Sequence, residues 1–248
     1  MDEKIRDFYE KTKLDLSNSE ELRDNFEWPV NWIKIYFKRY PRMSQIPLEI
    51  NSSYAGSNLF NLIQKRVSHR RFKDEEIDFE GIGDLLYFSL GIKNSLEQDE
   101  RNRRMYPSAG ARYPIEAYLI SNNIKKIPKG LFHYNVKDNN LELLLEEDLK
   151  EESKRIFGAE NYRGNPNYLL LTGVMSRSEV KYGINGYRFT MIEAGHIGQN
   201  FSLISAGKDL GCCAIGGFDN DRLAKLLDLI EDEIPVYAFA FGKPDLEM

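Results

Sequence analysis

Apolar positions recur at helical spacing once the chain passes residue 57. Leu59, Phe60, Leu62, Ile63 and Val67 form one stripe, and Ser57 is placed to cap it. Phe79, Ile82, Leu85, Leu86 and Leu90 form a second, opened by Asp78 and closed by Gly91. Apolar runs of strand length follow at 115–120 (IEAYLI), 131–136 (LFHYNV), 140–145 (NLELLL) and 167–175 (NYLLLTGVM). A charged helix is predicted near 147–157. The longest pattern predicts a helix from about Tyr187 to Lys208, burying Phe189, Ile192, Ile197, Phe201 and Ile204. Gly195 and Gly198 on that helix would let another backbone approach closely. A short strand CCAI, a helix from Asp219 to Leu229 and a strand at 235–241 close the chain. Helices and strands mix without strict βαβ alternation, which predicts an α+β fold.

Residues 1–56 read as an arm packed on a core formed by 57–248. Ile5, Phe8 and Tyr9 give a short helical stripe, and Ser19-Glu20-Glu21 opens another. From Trp28 to Pro47 the chain is aromatic and punctuated by Pro29, Pro41 and Pro47, as expected of an extended segment laid over a core.

Composition narrows the function classes. Apolar residues make up 42% and charged residues 29% of 248, which excludes a disordered chain. Lys plus Arg is 34 against 39 Asp plus Glu, a net charge of -5. Such a chain lacks the summed positive field of a non-specific nucleic-acid binder. Cys212 and Cys213 are adjacent and poorly placed to bridge each other. With His69, His133 and His196 scattered, they give no zinc spacing. The apolar runs are strand-sized, so no membrane-spanning helix is expected. The start, MDEKIRDFYEK, is charged from its second residue, and the expected location is the cytoplasm.

Several segments carry candidate chemistry. Arg66, Ser68, Arg70 and Arg71 end the first stripe, and fixed guanidinium groups beside a hydroxyl suit a phosphate or a developing anion. A solvated helix end gives the same pattern. Pro107-Ser108-Ala109-Gly110, between Tyr106 and Ala111-Arg112-Tyr113-Pro114, is small enough for close backbone approach to a flat ligand. A serine nucleophile elbow is disfavoured, because this segment precedes a strand and has Tyr106 where the elbow needs Gly. Lys181-Tyr182 precedes the long helix, and the pair carries chemistry only where a pocket shifts a pKa. Gly216-Gly217 precedes a helix capped by Asp219, where backbone N–H groups can face a ligand or simply turn. His196 and His133 are expected to be packed residues, Cys212 and Cys213 small buried hydrophobes, and Arg101, Arg103 and Arg104 a solvated loop.

The order and spacing of these segments resemble the nitroreductase superfamily. The pattern comprises Arg66-x-Ser68-x-Arg70-x-Phe72, Pro107-Ser108-Ala109-Gly110-x-x-Tyr113-Pro114, Gly130-Leu131-Phe132-His133-Tyr134, Lys181-Tyr182-Gly183, Glu193-Ala194-Gly195-His196-Ile197-Gly198-Gln199-Asn200 and Ile215-Gly216-Gly217-Phe218-Asp219. Within the superfamily it is similar to the SagB/ThcOx-type azoline dehydrogenases, from about residue 8 to 243. The resemblance implies a central mixed, mostly antiparallel sheet flanked by helices, in an intertwined homodimer with two shared FMN sites. Arg66, Ser68 and Arg70 would hold FMN from one chain. Pro107, Ser108, Ala109 and Gly110 would come from the neighbouring subunit. Gly216 and Gly217 would face the ring, and Lys181 and Tyr182 would be catalytic. The second phosphate cation is open, with Arg188 and Arg104 as candidates. The implied activity is oxidation of azolines to azoles in peptides, with a cyclodehydratase as possible partner. A nitro or quinone reductase drawing on NAD(P)H, and a non-catalytic scaffold, are the alternatives.

Overall fold

A computed structural model describes residues 2–13, 32, 34–50, 58–94, 102–158 and 162–246. Among these, the strands in chain order are β1 (Gln45–Pro47), β2 (Ile92–Asn94), β3 (Arg103–Arg104), β4 (Ile115–Ser121), β5 (Gly130–Asn135), β6 (Asn140–Glu146), β7 (Asn167–Val174), β8 (Gly211–Ile215) and β9 (Glu233–Gly242). The helices are α1 (Glu3–Lys11), α2 (Leu59–Lys65), α3 (Glu80–Leu90), α4 (Lys150–Phe157), α5 (Ser176–Tyr182), α6 (Asn185–Gly207) and α7 (Asn220–Leu226).

The main sheet runs β1-β6-β5-β4-β7-β9-β8. Every pairing in it is antiparallel. Among the described residues, parallel contact is limited to isolated bridges such as Ser68 with Cys212. Its central strands read as unbroken apolar runs because both faces are covered. On β4, Ile115, Ala117 and Leu119 join one core, while Tyr118 and Ile120 join the other. The first core lies under α3 and α6, and the second holds residues of α4 and α7.

The arm is part of this architecture where it is described. β1 adds an edge strand against β6, and Ile35 and Leu48 enter the first core. Lys38 Nζ reaches Glu233 at 2.5 Å and the Tyr118 hydroxyl at 2.6 Å. The helix read from Ser19-Glu20-Glu21, with Trp28 and Pro29, lies outside the described residues.

Some predicted faces are turned. Asn58 caps α2, its Oδ1 accepting the Phe60 N–H at 2.9 Å, whereas Ser57 is outside the described residues. Leu62 of α2 faces α6 at Gly207, yet Leu59, Phe60, Ile63 and Val67 are exposed. On α6 the buried face is Thr190, Glu193, Ala194, Ile197, Gly198, Phe201 and Ser205. Ile192, expected inside, is 48% exposed. Gly198 makes room for the Phe239 and Tyr237 side chains rather than for a backbone, while nothing lies within 4 Å of a Cβ added at Gly195.

Two polar residues, His196 and Arg104, differ from expectation. His196 is exposed on α6, not packed in the core. His133 is buried and lies between two carboxylates, Glu142 at 2.8 Å and Glu116 at 3.2 Å. Arg104 is buried against the rings of Phe37 and Tyr113 rather than solvated. Arg103 is exposed, and Arg101 is outside the described residues.

Candidate functional site

The expected residues form two groups. The first surrounds β8. Beyond the α2 C-cap Arg66, the chain lies extended beside β8, with the His69 N–H donating to the Cys212 carbonyl at 3.0 Å. Extended backbone sends alternate side chains to one side, so Arg66, Ser68 and Arg70 share a direction. Arg66 is close enough to act electrostatically on Cys212, and Arg70 on Cys213. Burial nevertheless pushes the Cys212 thiol up to about 12, so it stays protonated. Gly216 and Gly217 continue from β8, and a Cβ at either would meet nothing within 4 Å. Two cations, a hydroxyl and open backbone thus lie on one strand end, which fits an anionic ligand with a flat ring.

The second group is built on the turn after β3. Ala109–Ala111 form one turn of 3-10 helix, with φ of +56° at Gly110, +53° at Ala111 and +48° at Tyr113. The Ser108 hydroxyl oxygen accepts the Tyr113 N–H at 2.9 Å and closes the turn. Lys181 and Tyr182 end α5, stopped by Gly183 at φ +53°. Their polar atoms stand directly over Gly110. A methyl group there would overlap the Tyr182 hydroxyl and come to 3.0 Å from Lys181 Nζ. Lys181 Nζ also lies 5.6 Å from the centre of the Trp32 ring.

Arg112 organises this group, and it stood in the sequence motif with no role assigned. Its Nε donates to the Arg177 carbonyl at 3.0 Å, Nη1 to Trp32 O at 2.5 Å and Nη2 to Lys34 O at 2.9 Å. It has no carboxylate partner among the described residues, so its charge is felt by its neighbours. Burial, then Arg112, hold the Lys181 ammonium below the usual lysine range. Burial raises the Tyr182 phenol, against the pull of Arg112. Beneath the turn, Arg177 pairs with Glu116 at 2.5 Å. Burial would raise the Glu116 carboxyl, but Arg177 and His133 hold it at about 2. Spacing gave no signal for Arg112 or Glu116, because both sit inside motifs that read equally well as loop and strand.

Lys181-Tyr182 and the β8 group meet α6 at different points, while Asn200 of α6 donates to the Met105 carbonyl just before the turn at 3.2 Å. Tyr182 packs edge-on against Phe189, with ring centres 5.0 Å apart, while Ser202 Oγ meets Cys212 Sγ at 3.9 Å. At 1.5 Å rise per residue these anchors stand about 20 Å apart along the helix. Arg188 is exposed near the turn end of α6, and Arg104 is buried beside the turn.

Comparison with known proteins follows the same outline. The family model described as Nitroreductase family matches residues 63–243. A protein of Methanocaldococcus jannaschii named as a nitroreductase is 26% identical over 190 residues, covering 75% of this chain and 90% of its own. The microcin B17-processing protein McbC of Escherichia coli is 29% identical over 56% of this chain and 54% of its own. The trifolitoxin-processing protein TfxB of Rhizobium leguminosarum is 31% identical over 48% of this chain and 33% of its own. The chain thus spans about half of McbC and a third of TfxB. Among solved structures, a nitroreductase-named protein from Ralstonia eutropha superposes with TM-score 0.70 at 23% identity, over 82% of this chain and 90% of that one. A chain of the E. coli microcin synthetase McbBCD complex, with truncated pro-MccB17 bound, superposes with TM-score 0.64 at 24% identity, over 98% of this chain and 87% of that one. Both structures share the fold.

Proposed function

Because the chain belongs to the nitroreductase family, and is an oxidoreductase of that family, we propose that it is an FMN-dependent dehydrogenase that oxidises azolines in peptides to azoles. The observation that carries the reading is the placement of Lys181 and Tyr182 over the Gly110 turn. Two matched relatives are peptide-processing proteins, which favours a modified peptide as substrate.

Arg66, Ser68 and Arg70 would hold the cofactor from one side, with the open backbone of Gly216 and Gly217 beside its ring. Pro107, Ser108, Ala109 and Gly110 would lie against the other face. FMN supplies, when bound, the acceptor for the hydride that leaves the azoline. Lys181 takes the proton α to the azoline carbonyl on Nζ. A basic amine must be neutral to do this, and its depressed pKa makes the neutral form accessible nearer physiological pH. Tyr182, kept protonated by burial, orients the substrate or the Lys181 amine through its hydroxyl.

A second copy of the chain completes this site. Lys181-Tyr182 and the β8 group meet α6 at Phe189 and Ser202, about 20 Å apart along the helix, which leaves room for a segment of the second copy. Exposed apolar residues of α2 (Leu59, Phe60, Ile63) and of the α6 region (Ile184, Tyr187, Ile192) supply a surface for that copy. A cyclodehydratase is the expected partner upstream, since an azoline must be made before it is oxidised. Among the described residues no helix is long and apolar enough to cross a membrane. The cytoplasm is the proposed location.

The test is a Lys181→Ala variant loaded with FMN and given an azoline-containing peptide. Loss of azole formation with flavin retained supports the reading; wild-type turnover removes it. The competing reading, an NAD(P)H-driven nitro or quinone reductase, is favoured by the match over 90% of the Methanocaldococcus protein. It predicts rapid anaerobic bleaching of the bound flavin by NADPH.

A further inference from the structure

The N-terminal arm is tied to the end of α5 through Trp32 and Arg112. The Trp32 indole Nε1 donates to the Val180 carbonyl at 3.0 Å. Arg112 Nε donates to the Arg177 carbonyl at 3.0 Å, while its Nη1 and Nη2 hold the carbonyls of Trp32 and Lys34 at 2.5 and 2.9 Å. The arm, Arg112 and α5 thus close a ring of hydrogen bonds that meets α5 just before Lys181.

α5 needs such support. At 7 residues it is too short to be stable on its own, and its last carbonyls have no partner inside the helix. The Gly183 N–H donates to the Glu179 carbonyl at 2.8 Å. The next carbonyl, that of Val180, is taken from outside by Trp32. The same indole presents its ring to the following residue. Lys181 Nζ lies 5.6 Å from the centre of that ring and 5.5 Å from the centre of the Tyr182 ring. Both distances are within the range over which an aromatic face attracts an ammonium. A lysine carries its amine on a flexible stem, so two ring faces on different elements restrict where Nζ can go. It is held 3.0 Å from where a methyl group on Gly110 would sit.

We propose that Trp32 is a positioning residue: bonded to the Val180 carbonyl and held by Arg112, it fixes the Lys181 amine over the Gly110 turn. This deepens the reading of Lys181 as the base and rests on it. Trp32 belongs to the arm, ahead of residue 63, where the family match begins.

The indole acts through two parts. Its N–H fixes the ring against α5, and its ring face limits the amine. Leucine in its place keeps apolar cover and offers neither. Phenylalanine keeps a ring face, weaker than that of tryptophan, and loses the N–H. A base that has lost its fixed position leaves substrate binding as it was but meets the α proton less often, so the loss falls on kcat and not on KM. A ring that instead stacked on the azoline would show the reverse, since its removal weakens binding.

The experiment compares FMN-loaded wild type with Trp32→Leu, Trp32→Phe and Lys181→Ala on a synthetic peptide carrying one thiazoline. Trp32→Leu should lower kcat about tenfold with KM unchanged, and Trp32→Phe should recover most of that loss. An unchanged kcat in Trp32→Leu overturns the proposal, as does a loss confined to KM. Trace acetylation of the full chain, with each lysine quantified by mass spectrometry, reads the amine without turnover. Lys181 should react about fivefold faster in Trp32→Leu than in wild type, while the other lysines keep their rates. An unchanged Lys181 rate overturns the proposal whatever the turnover. If every lysine reacts faster, Trp32→Leu has unfolded, and Trp32→Phe is judged in its place by the same signs at smaller size. If wild type leaves the thiazoline intact, or Lys181→Ala matches wild type, the reading of Lys181 as base fails first. Acetylation then decides alone whether Trp32 holds the amine.

Discussion

Gly110 and Tyr182 come so close that no side chain fits between them: a methyl group on Gly110 would occupy the space of the Tyr182 hydroxyl. Glycine is required twice over, because the residue also sits at φ +56°. A Gly110→Ala variant should therefore displace Tyr182 and Lys181. The backbone penalty is about 1 kcal/mol, enough to lower melting by about 2 °C but not to unfold the chain. Turnover should fall much further, about a hundredfold, since small misplacements of reacting groups carry costs of that size. Assay of azole formation beside a melting curve checks both, and an active variant with only a melting shift would separate the turn from the chemistry.

The acid limb of the pH–rate profile should report Lys181. Burial first, and Arg112 second, lower its pKa, so the neutral amine appears below the ordinary lysine range. Replacing Arg112 by Gln removes the second contribution. The limb should then move to higher pH, with less activity near neutrality. Measurement of kcat/KM against pH for both proteins tests this, and a limb that stays in place or moves down denies Arg112 that influence.

How much of this was readable beforehand depended on length and on period. The strands from 115 to 174 and the α6 segment were legible because long apolar patterns leave little choice. α5, at only 7 residues, spans less than two full turns, too short for its period to stand out, so Lys181 and Tyr182 were placed only as preceding the long helix. Ile192 was assigned to the core because an apolar residue at helical spacing looks the same whether the chain itself or another surface covers it. His133 was read only as a packed strand residue because Glu142 and Glu116, 9 and 17 residues away, meet it only across paired strands. The motif residues were found by their order along the chain. Their grouping around β8 and around the Gly110 turn is a property of the fold alone.

The exposed stripe on α2 should set the oligomeric state. Phe60 is 75% exposed, with Leu59, Ile63 and Val67 around it. Covering each such side chain is worth about 2 kcal/mol. Phe60→Glu should shift the chain to monomer in sedimentation velocity and cost it flavin, because each half-site would lose its complement. A monomeric variant that binds FMN as wild type would show that one chain holds the whole site.

The ion cluster at His133 should make stability depend on pH with a definite window. His133 gains hydrogen bonds from Glu116 and Glu142 that outweigh its burial, so its pKa is raised. Burial alone would raise both carboxyls, yet the bonds to His133, with Arg177 at Glu116, leave them lowered, Glu116 to about 2. The raised imidazole stabilises the fold fully below its unfolded value near 6.5, and that share is lost as pH rises through its folded value. The lowered carboxylates stabilise above their unfolded values near 4.5, and that share is lost as pH falls toward 2. Both are present together from roughly pH 4.5 to 6.5. Glu142→Gln takes away one charge, leaves His133 less reason to stay protonated, and should cost about 3 kcal/mol within that window. Its stability profile should also lose part of the decline above pH 6.5 that is expected of wild type. Urea unfolding at pH 5.5 and 8 gives the comparison: a penalty equal at the two values would mean that Glu142 supports the sheet through its bonds to Asn135 and Tyr40, and not through the charge on His133.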